Sequence, residues 1–182
     1  WNWVTMSSVL DAKGVARHYV AAQVDVTEAV QMEAERARLA THDGLTGLLK
    51  YAGSEEQVET LVAACDPASR VAMLFIDIDS FNAVNDTMGF AVGDAAIKRL
   101  AARLSELTDQ RGQVLGYAGD EFLVVLTGLG AGEPVLSLAN DYCSRIAEPL
   151  HIDLDITLHL TASIGVATAP DSARTAKDLI RQ

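Results

Sequence analysis

With 182 residues, 49% of them hydrophobic and 21% charged, the chain has room for one sizeable core plus an appendage. Its formal net charge of -11 argues against a nucleic-acid partner, because such a surface needs clustered Lys and Arg to displace counterions. No apolar run approaches the ~18 residues that span a bilayer, and the opening Trp1-Asn2-Trp3 carries neither an initiator Met nor a basic leader. These features fit a cytoplasmic fragment of a longer protein, with no membrane segment in the fragment.

Residues 1–28 alternate like two strands around a turn: Trp1, Trp3 and Thr5 share one face, Leu10 to Gly14 turns, and His18 to Val24 returns. A lone hairpin is marginal in water, so this one should belong to a larger sheet. It is either an arbitrary hairpin or, with Val24-Asp25-Val26-Thr27-Glu28 running into a polar helix, a segment that resembles the C-terminal end of a PAS sensor domain. Residues 29–42 form a helical linker. Its thin stripe of Val30, Ala34, Ala37 and Leu39 suits either a short coiled-coil seam between protomers or a solvated helix.

Asp43-Gly44-Leu45-Thr46-Gly47 is a loop by its glycines, and Ser54-Glu55-Glu56-Gln57 is a capping box that opens a helix through about Cys65. Val71 to Asp79, apolar and then acidic, predicts a central strand ending in carboxylates. Phe81 to Asp94 is loop-rich, with Gly89 and Gly93 as punctuation, and a helix follows from Asp94 to about Leu107. Val114–Tyr117 and Phe122–Leu126 are strands around a tight tip, Ala118-Gly119-Asp120-Glu121. Pro134 to Ala147 is helical, Leu150–Asp153 and Thr157–Thr168 are strands, and Ser172–Gln182 starts a last helix. This order predicts an α+β, palm-like, ferredoxin-related fold, with a mixed, mostly antiparallel sheet and flanking helices.

If the hairpin tip lies beside the Val71 strand, Asp77, Asp120 and Glu121 gather at one edge. Packed carboxylates repel unless a proton or cation lies between them, and magnesium takes oxygen ligands of this kind. Taken alone, each acidic pair reads more simply as solvating a strand end, and the glycines around them change that balance. Gly119 lets a phosphate or base approach the backbone, Asn85 and Asp94 can read the edge of guanine, and the N–H groups after Asp79 can cradle phosphates. Cys65 and Cys143 lack CxxC spacing and read as buried thiols. The four histidines show no ligand spacing.

Phe75-Ile76-Asp77-Ile78-Asp79-Ser80-Phe81, then Asn85-Asp86, Gly89 and Gly93-Asp94, resembles the GGDEF family of diguanylate cyclases. So do Tyr117-Ala118-Gly119-Asp120-Glu121-Phe122, the opening Asp43-Gly44-Leu45-Thr46, and Ser163-Ile164-Gly165-Val166-Ala167. The resemblance covers 43–182, a domain that looks truncated at its C-terminal end. It implies Mg2+ (or Mn2+) held by Asp77, Asp120 and the Ile78 carbonyl. Glu121 would assist, either on a second metal or in activating a 3′-hydroxyl. It further implies guanine recognition by Asn85 and Asp94, with Gly119 and the backbone of Ser80 and Phe81 against the triphosphate of GTP.

In the family, two such domains face each other as a homodimer and condense two GTP to cyclic di-GMP. The alternative is a degenerate domain that binds GTP and regulates an attached domain such as an EAL phosphodiesterase. Several departures bear on that choice. Ala118 replaces the motif's first glycine, Asn82 a lysine, Phe90 a histidine, Gly116 an arginine, and Leu49-Lys50 an Asn-Arg pair. Asp109-Gln110-Arg111-Gly112 stands where the family's inhibitory Arg-x-x-Asp would be, and neither Arg174 nor Lys177 falls where the family grips the outer phosphates.

Overall fold

The computed structural model describes residues 1–181 and divides into two units, Trp1–Ala40 and the chain from Thr41 on. In the first, β1 (Asn2–Leu10) pairs antiparallel with β2 (Ala16–Asp25), with Asn2 opposite Asp25 and Val9 opposite His18. The Asp11 carboxylate closes the turn by accepting the N–H groups of Lys13 and Val15 at 2.9 and 3.0 Å. Helix α1 (Thr27–Thr41) follows, and its first N–H donates to Asp25 at 2.9 Å. Every residue of β1 is exposed and α1 buries none. Their apolar side chains therefore contribute little to folding by themselves.

The second unit opens with β3 (Leu49–Lys50), a 3-10 turn at Tyr51–Gly53, α2 (Glu55–Ala63) and β4 (Arg70–Ile78). It continues through α3 (Phe81–Met88), α4 (Phe90–Thr108), a 3-10 turn at Asp109–Arg111, β5 (Gly112–Ala118) and β6 (Glu121–Leu129). It closes with α5 (Val135–Ala147), β7 (Leu150–His151), β8 (Thr157–Leu158), β9 (Ala162–Ala169) and α6 (Ala176–Ile180). The five-stranded sheet has the order β3-β5-β6-β4-β9, with β3–β5 parallel and every other pair antiparallel. Strand β4 is paired on both edges, by β6 and β9, and helices cover both of its faces, which explains its apolar run. Ala72, Leu74, Ile76 and Ile78 pack with α4 and α5, while Val71 and Met73 pack with Val58 and Val62 of α2 and Leu179 of α6. The α+β sheet with flanking helices is the expected one.

Local expectations fared unevenly. Phe81 to Asp94, expected as loop, is a helical hairpin: α3 and α4 meet at Gly89, whose φ of +83° makes the corner. Gly93 is buried within α4 and serves packing, so the loop inference from glycine fails there. The Ser54 capping box does not form. Ser54 is buried and its hydroxyl donates back to the Lys50 carbonyl at 3.0 Å, because the preceding 3-10 turn delivers it there. The single strand expected over Thr157–Thr168 is two, since β8 pairs with β7 and β9 with β4. The last helix spans Ala176–Ile180, with the Thr175 side chain capping the Asp178 N–H; Gln182 lies outside the described residues.

Candidate metal and nucleotide site

Side chains alternate along a strand, so Asp77 follows Met73 and Phe75 onto the α2/α6 face of the sheet. Glu121, two residues before Leu123, falls on that same face, and the ladder sets Asp77 directly opposite Glu121. Opposed residues of antiparallel strands carry their Cβ atoms ~5 Å apart, and like charges so placed destabilise the pair. Asp77 is exposed and Glu121 half-buried. Water and a cation can therefore reach both.

The hairpin between β5 and β6 turns on Gly119-Asp120, since Ala118 still pairs with Glu121. Gly119 has φ +61°, which suits the first central position of a tight turn whose twist matches the strands. A Cβ at Gly119 would meet no atom within 4 Å, so conformation, not crowding, asks for glycine there. Asp120 is thereby held one residue from the Asp77–Glu121 pair. Between Gly116 and Ala118 the register slips, leaving Tyr117 as an extra residue on β5. Its ring meets Phe75 edge-on at 4.8 Å and Tyr51 at 5.6 Å. Burial, then Glu55, raises the Tyr51 hydroxyl above its ordinary pKa.

A cleft of about 140 Å3 runs beside this tip, lined by Asp43, Thr46, Lys50, Tyr117, Gly119 and Glu121. Asp43 shapes its wall by accepting the N–H groups of Leu45 and Thr46 and the Thr46 hydroxyl at 3.1, 2.7 and 2.7 Å. Burial pushes the Asp43 carboxyl up, but the bonds from Thr46 and Leu45 outweigh it and hold the group below its ordinary value. Lys50 brings a cation to the cleft. Sequence reasoning passed over it because the position was read only as a departure from the Asn-Arg pair. A separate hollow of about 280 Å3 beneath α6 is lined by Met73, Phe75, Leu123, Leu179 and Ile180 and offers no polar anchor for a nucleotide.

Beyond Ile78, whose side chain is buried so that only its backbone is available, the chain leaves the sheet. Asp79 turns away from the pair: its carboxylate accepts the hydroxyls of Thr161 at 2.6 Å and Ser163 at 2.8 Å, which hold it below the usual carboxylate range. Ser80 adopts φ +55°, an uncommon conformation for a residue with a side chain, and α3 opens after it. The helix N-terminus places backbone N–H groups next to the strand end, a favourable seat for phosphate. The side chain of Phe81 does not face that seat. It is buried in the core, so only its backbone remains for the expected phosphate contact.

Asn85 lies against Gly93. A Cβ on Gly93 would fall 1.9 Å from Asn85 Oδ1, and the Phe81 ring closes in from below at 3.6 Å. Only glycine leaves room for that amide beside Asp94, the next residue of α4, which is exposed. The two residues expected to read guanine are thus brought to one corner of the α3–α4 hairpin. Arg111, in the stretch that departs from the family's Arg-x-x-Asp, is paired with Glu133.

Magnesium often keeps several waters and binds through one or two carboxylates plus substrate phosphates rather than in an all-protein cage. The donors fit that pattern. Asp77 and Glu121 oppose each other at one open edge with Asp120 in the adjoining turn, while among the described residues no group of three His, Cys, Asp or Glu side chains is arranged to hold a metal by itself.

Comparison with known proteins bears on the family and the fold. Residues 40–182 match the family described as diguanylate cyclase, GGDEF domain. The chain is 32% identical over 148 residues to diguanylate cyclase TpbB of Pseudomonas aeruginosa, covering 81% of this chain and 34% of that protein. It is 32% identical over 176 residues to the bifunctional diguanylate cyclase/cyclic di-GMP phosphodiesterase MucR of the same species, covering 95% of this chain and 24% of MucR. The chain therefore spans about a quarter to a third of the length of these two relatives. A solved GGDEF domain of TpbB superposes with a TM-score of 0.71 at 30% identity, over 77% of this chain and 82% of that one.

Proposed function

Because the chain belongs to the diguanylate cyclase GGDEF-domain family, we propose that residues 43–182 bind GTP with Mg2+ (or Mn2+) and, when two copies face each other, condense two GTP into cyclic di-GMP. The observation that carries this reading is the cross-strand placement of Asp77 opposite Glu121, with Asp120 at the adjoining turn. Opposed carboxylates such as Asp77 and Glu121 are unfavourable by themselves and become favourable around a cation.

Asp77, Asp120 and the Ile78 carbonyl would hold the metal, which when bound neutralises charge on the phosphates. Asn85 and Asp94 orient the guanine, and the Ser80–Phe81 backbone steadies the phosphates. In each half-reaction a bond forms between a 3′-oxygen and the α-phosphorus of the GTP on the facing copy. The bond from that phosphorus to pyrophosphate breaks, and the hydroxyl proton leaves towards Glu121 or solvent. Each copy holds half a site, so dimerisation governs the rate. Residues 1–28 are proposed as the C-terminal hairpin of a PAS-like sensor, and 29–42 as the linker that transmits its state.

A second reading is a GTP-binding module that regulates an attached phosphodiesterase. Asn82 and Gly116 favour it, since neither supplies a cation to the phosphates and a ~1 Å misplacement can slow transfer about 10²-fold. MucR, which pairs the two activities in its name, offers a precedent for such an attachment. Full-length protein incubated with GTP and magnesium, assayed for both bound nucleotide and cyclic di-GMP, separates the two. Product that Asp120→Ala lowers by at least about 10³-fold, equivalent to several kcal/mol of charge stabilisation, supports the cyclase. Tight GTP without product supports the module, and neither signal ends both.

A further inference from the structure

Phe90 is the first residue of α4, follows the Gly89 corner and is 75% exposed. A single exposed Phe is ordinary; its position is not. Residues four apart on a helix share a face, and helical side chains lean towards the N-terminus, so Asp94 leans towards Phe90. Gly93, between them, seats the Asn85 amide. Phe90 therefore lies on the Asp94 face of α4, one turn nearer the Gly89 corner. Hydrogen bonds from Asn85 and Asp94 can read only the edge of a purine and leave both of its faces to water. The other aromatic residue of this hairpin, Phe81, is buried and committed to the core.

We propose that Phe90 stacks on the face of the guanine base and sets much of the affinity for it. The inference rests on the reading that Asn85 and Asp94 take guanine. It adds that this domain holds its nucleotide more by the base than by the phosphates, offsetting the cations absent at Asn82 and Gly116.

Titration calorimetry on the chain with Mg·GTP, guanosine and Mg·tripolyphosphate tests it. Phe90→Ala should weaken both GTP and guanosine by roughly 5- to 100-fold, the loss expected when an aromatic base platform is removed. Tripolyphosphate binding and the melting temperature should not change, and Phe90→Tyr should restore GTP binding to within about threefold. Native protein that binds GTP with Phe90→Ala binding it equally well overturns the stacking proposal alone. So does an equal loss for tripolyphosphate, or a change in association state on sedimentation, which would make Phe90 a structural residue or a contact between copies. Failure of the native chain to bind GTP overturns this proposal together with the nucleotide reading beneath it.

Discussion

Strand β4 begins with Arg70, whose guanidinium donates to the Gly130 carbonyl at 2.9 Å, the Glu133 carbonyl at 2.9 Å and the Asp171 carboxylate at 3.0 Å. It runs out towards Asp77, which faces another acid, Glu121, across the ladder. At the first end charge is matched, largely covered (the Arg70 side chain is 12% exposed) and hydrogen-bonded to backbone. At the second, like charges are opposed and open to water. The same strand is thus secured at one end and left electrostatically unfinished at the other. The difference separates what the fold needs from what a cation and a nucleotide would supply.

The largest effect on stability should come from breaking the secured end. Arg70→Met removes charged hydrogen bonds to two carbonyls and should destabilise the domain by about 2 kcal/mol, read by urea denaturation, with GTP affinity unchanged. A parallel loss of GTP affinity would mean that the two ends are coupled. Next, Gly93→Ala sharpens the contrast from the other side. Its Cβ would fall 1.9 Å from Asn85 Oδ1, so the amide must swing out, and GTP binding should weaken about tenfold, the equivalent of about one lost hydrogen-bonded contact. Calorimetry reads that change, and unaltered affinity would show that Asn85 takes no part in binding.

The unfinished end was largely legible in the sequence, because its chemistry sits at points where pattern changes. An apolar run that stops at Asp77, and a glycine beside Asp120 between two strands, mark a strand end and a hairpin tip without any coordinates. Which residues pair across the ladder is a matter of register, and that the pairing sets Glu121, not Asp120, opposite Asp77 could not be read from one strand alone. The α3–α4 hairpin was missed for a related reason. Glycine signals both a corner and a close contact, and Gly89 and Gly93 do one each. Asp79 ends the strand as expected, but the capture of its carboxylate by Thr161 and Ser163 depends on where β9 begins, far along the chain and invisible to local pattern. Lys50 reaches the cleft only because β3 pairs parallel with β5, a contact its two-residue length does not announce.

Smaller effects refine the comparison. In metal-free buffer Asp77→Asn relieves like-charge opposition and should raise stability by about 0.2–1 kcal/mol, a change that thermal melting in chelator would detect. A drop instead would show that Asp77 makes a stabilising contact without metal. The smallest effect concerns Asp43. Its pKa is held below the ordinary 3.8, so its contribution is present above that value and lost as pH falls through the lowered folded pKa. Asp43→Asn should therefore flatten the acid limb of the stability profile below pH ~4. An unchanged limb would assign acid unfolding to other carboxylates, Asp79 and Glu133 among them, whose pKa values are also lowered.

The most direct test is GTP affinity measured with saturating magnesium and again with excess chelator, in the native chain and in Asp77→Asn. If the acids of β4 and the β5–β6 turn grip a cation together with the nucleotide, chelation should weaken native binding by at least about tenfold, and Asp77→Asn should lose most of that dependence. Equal native affinity with and without the metal would contradict the account.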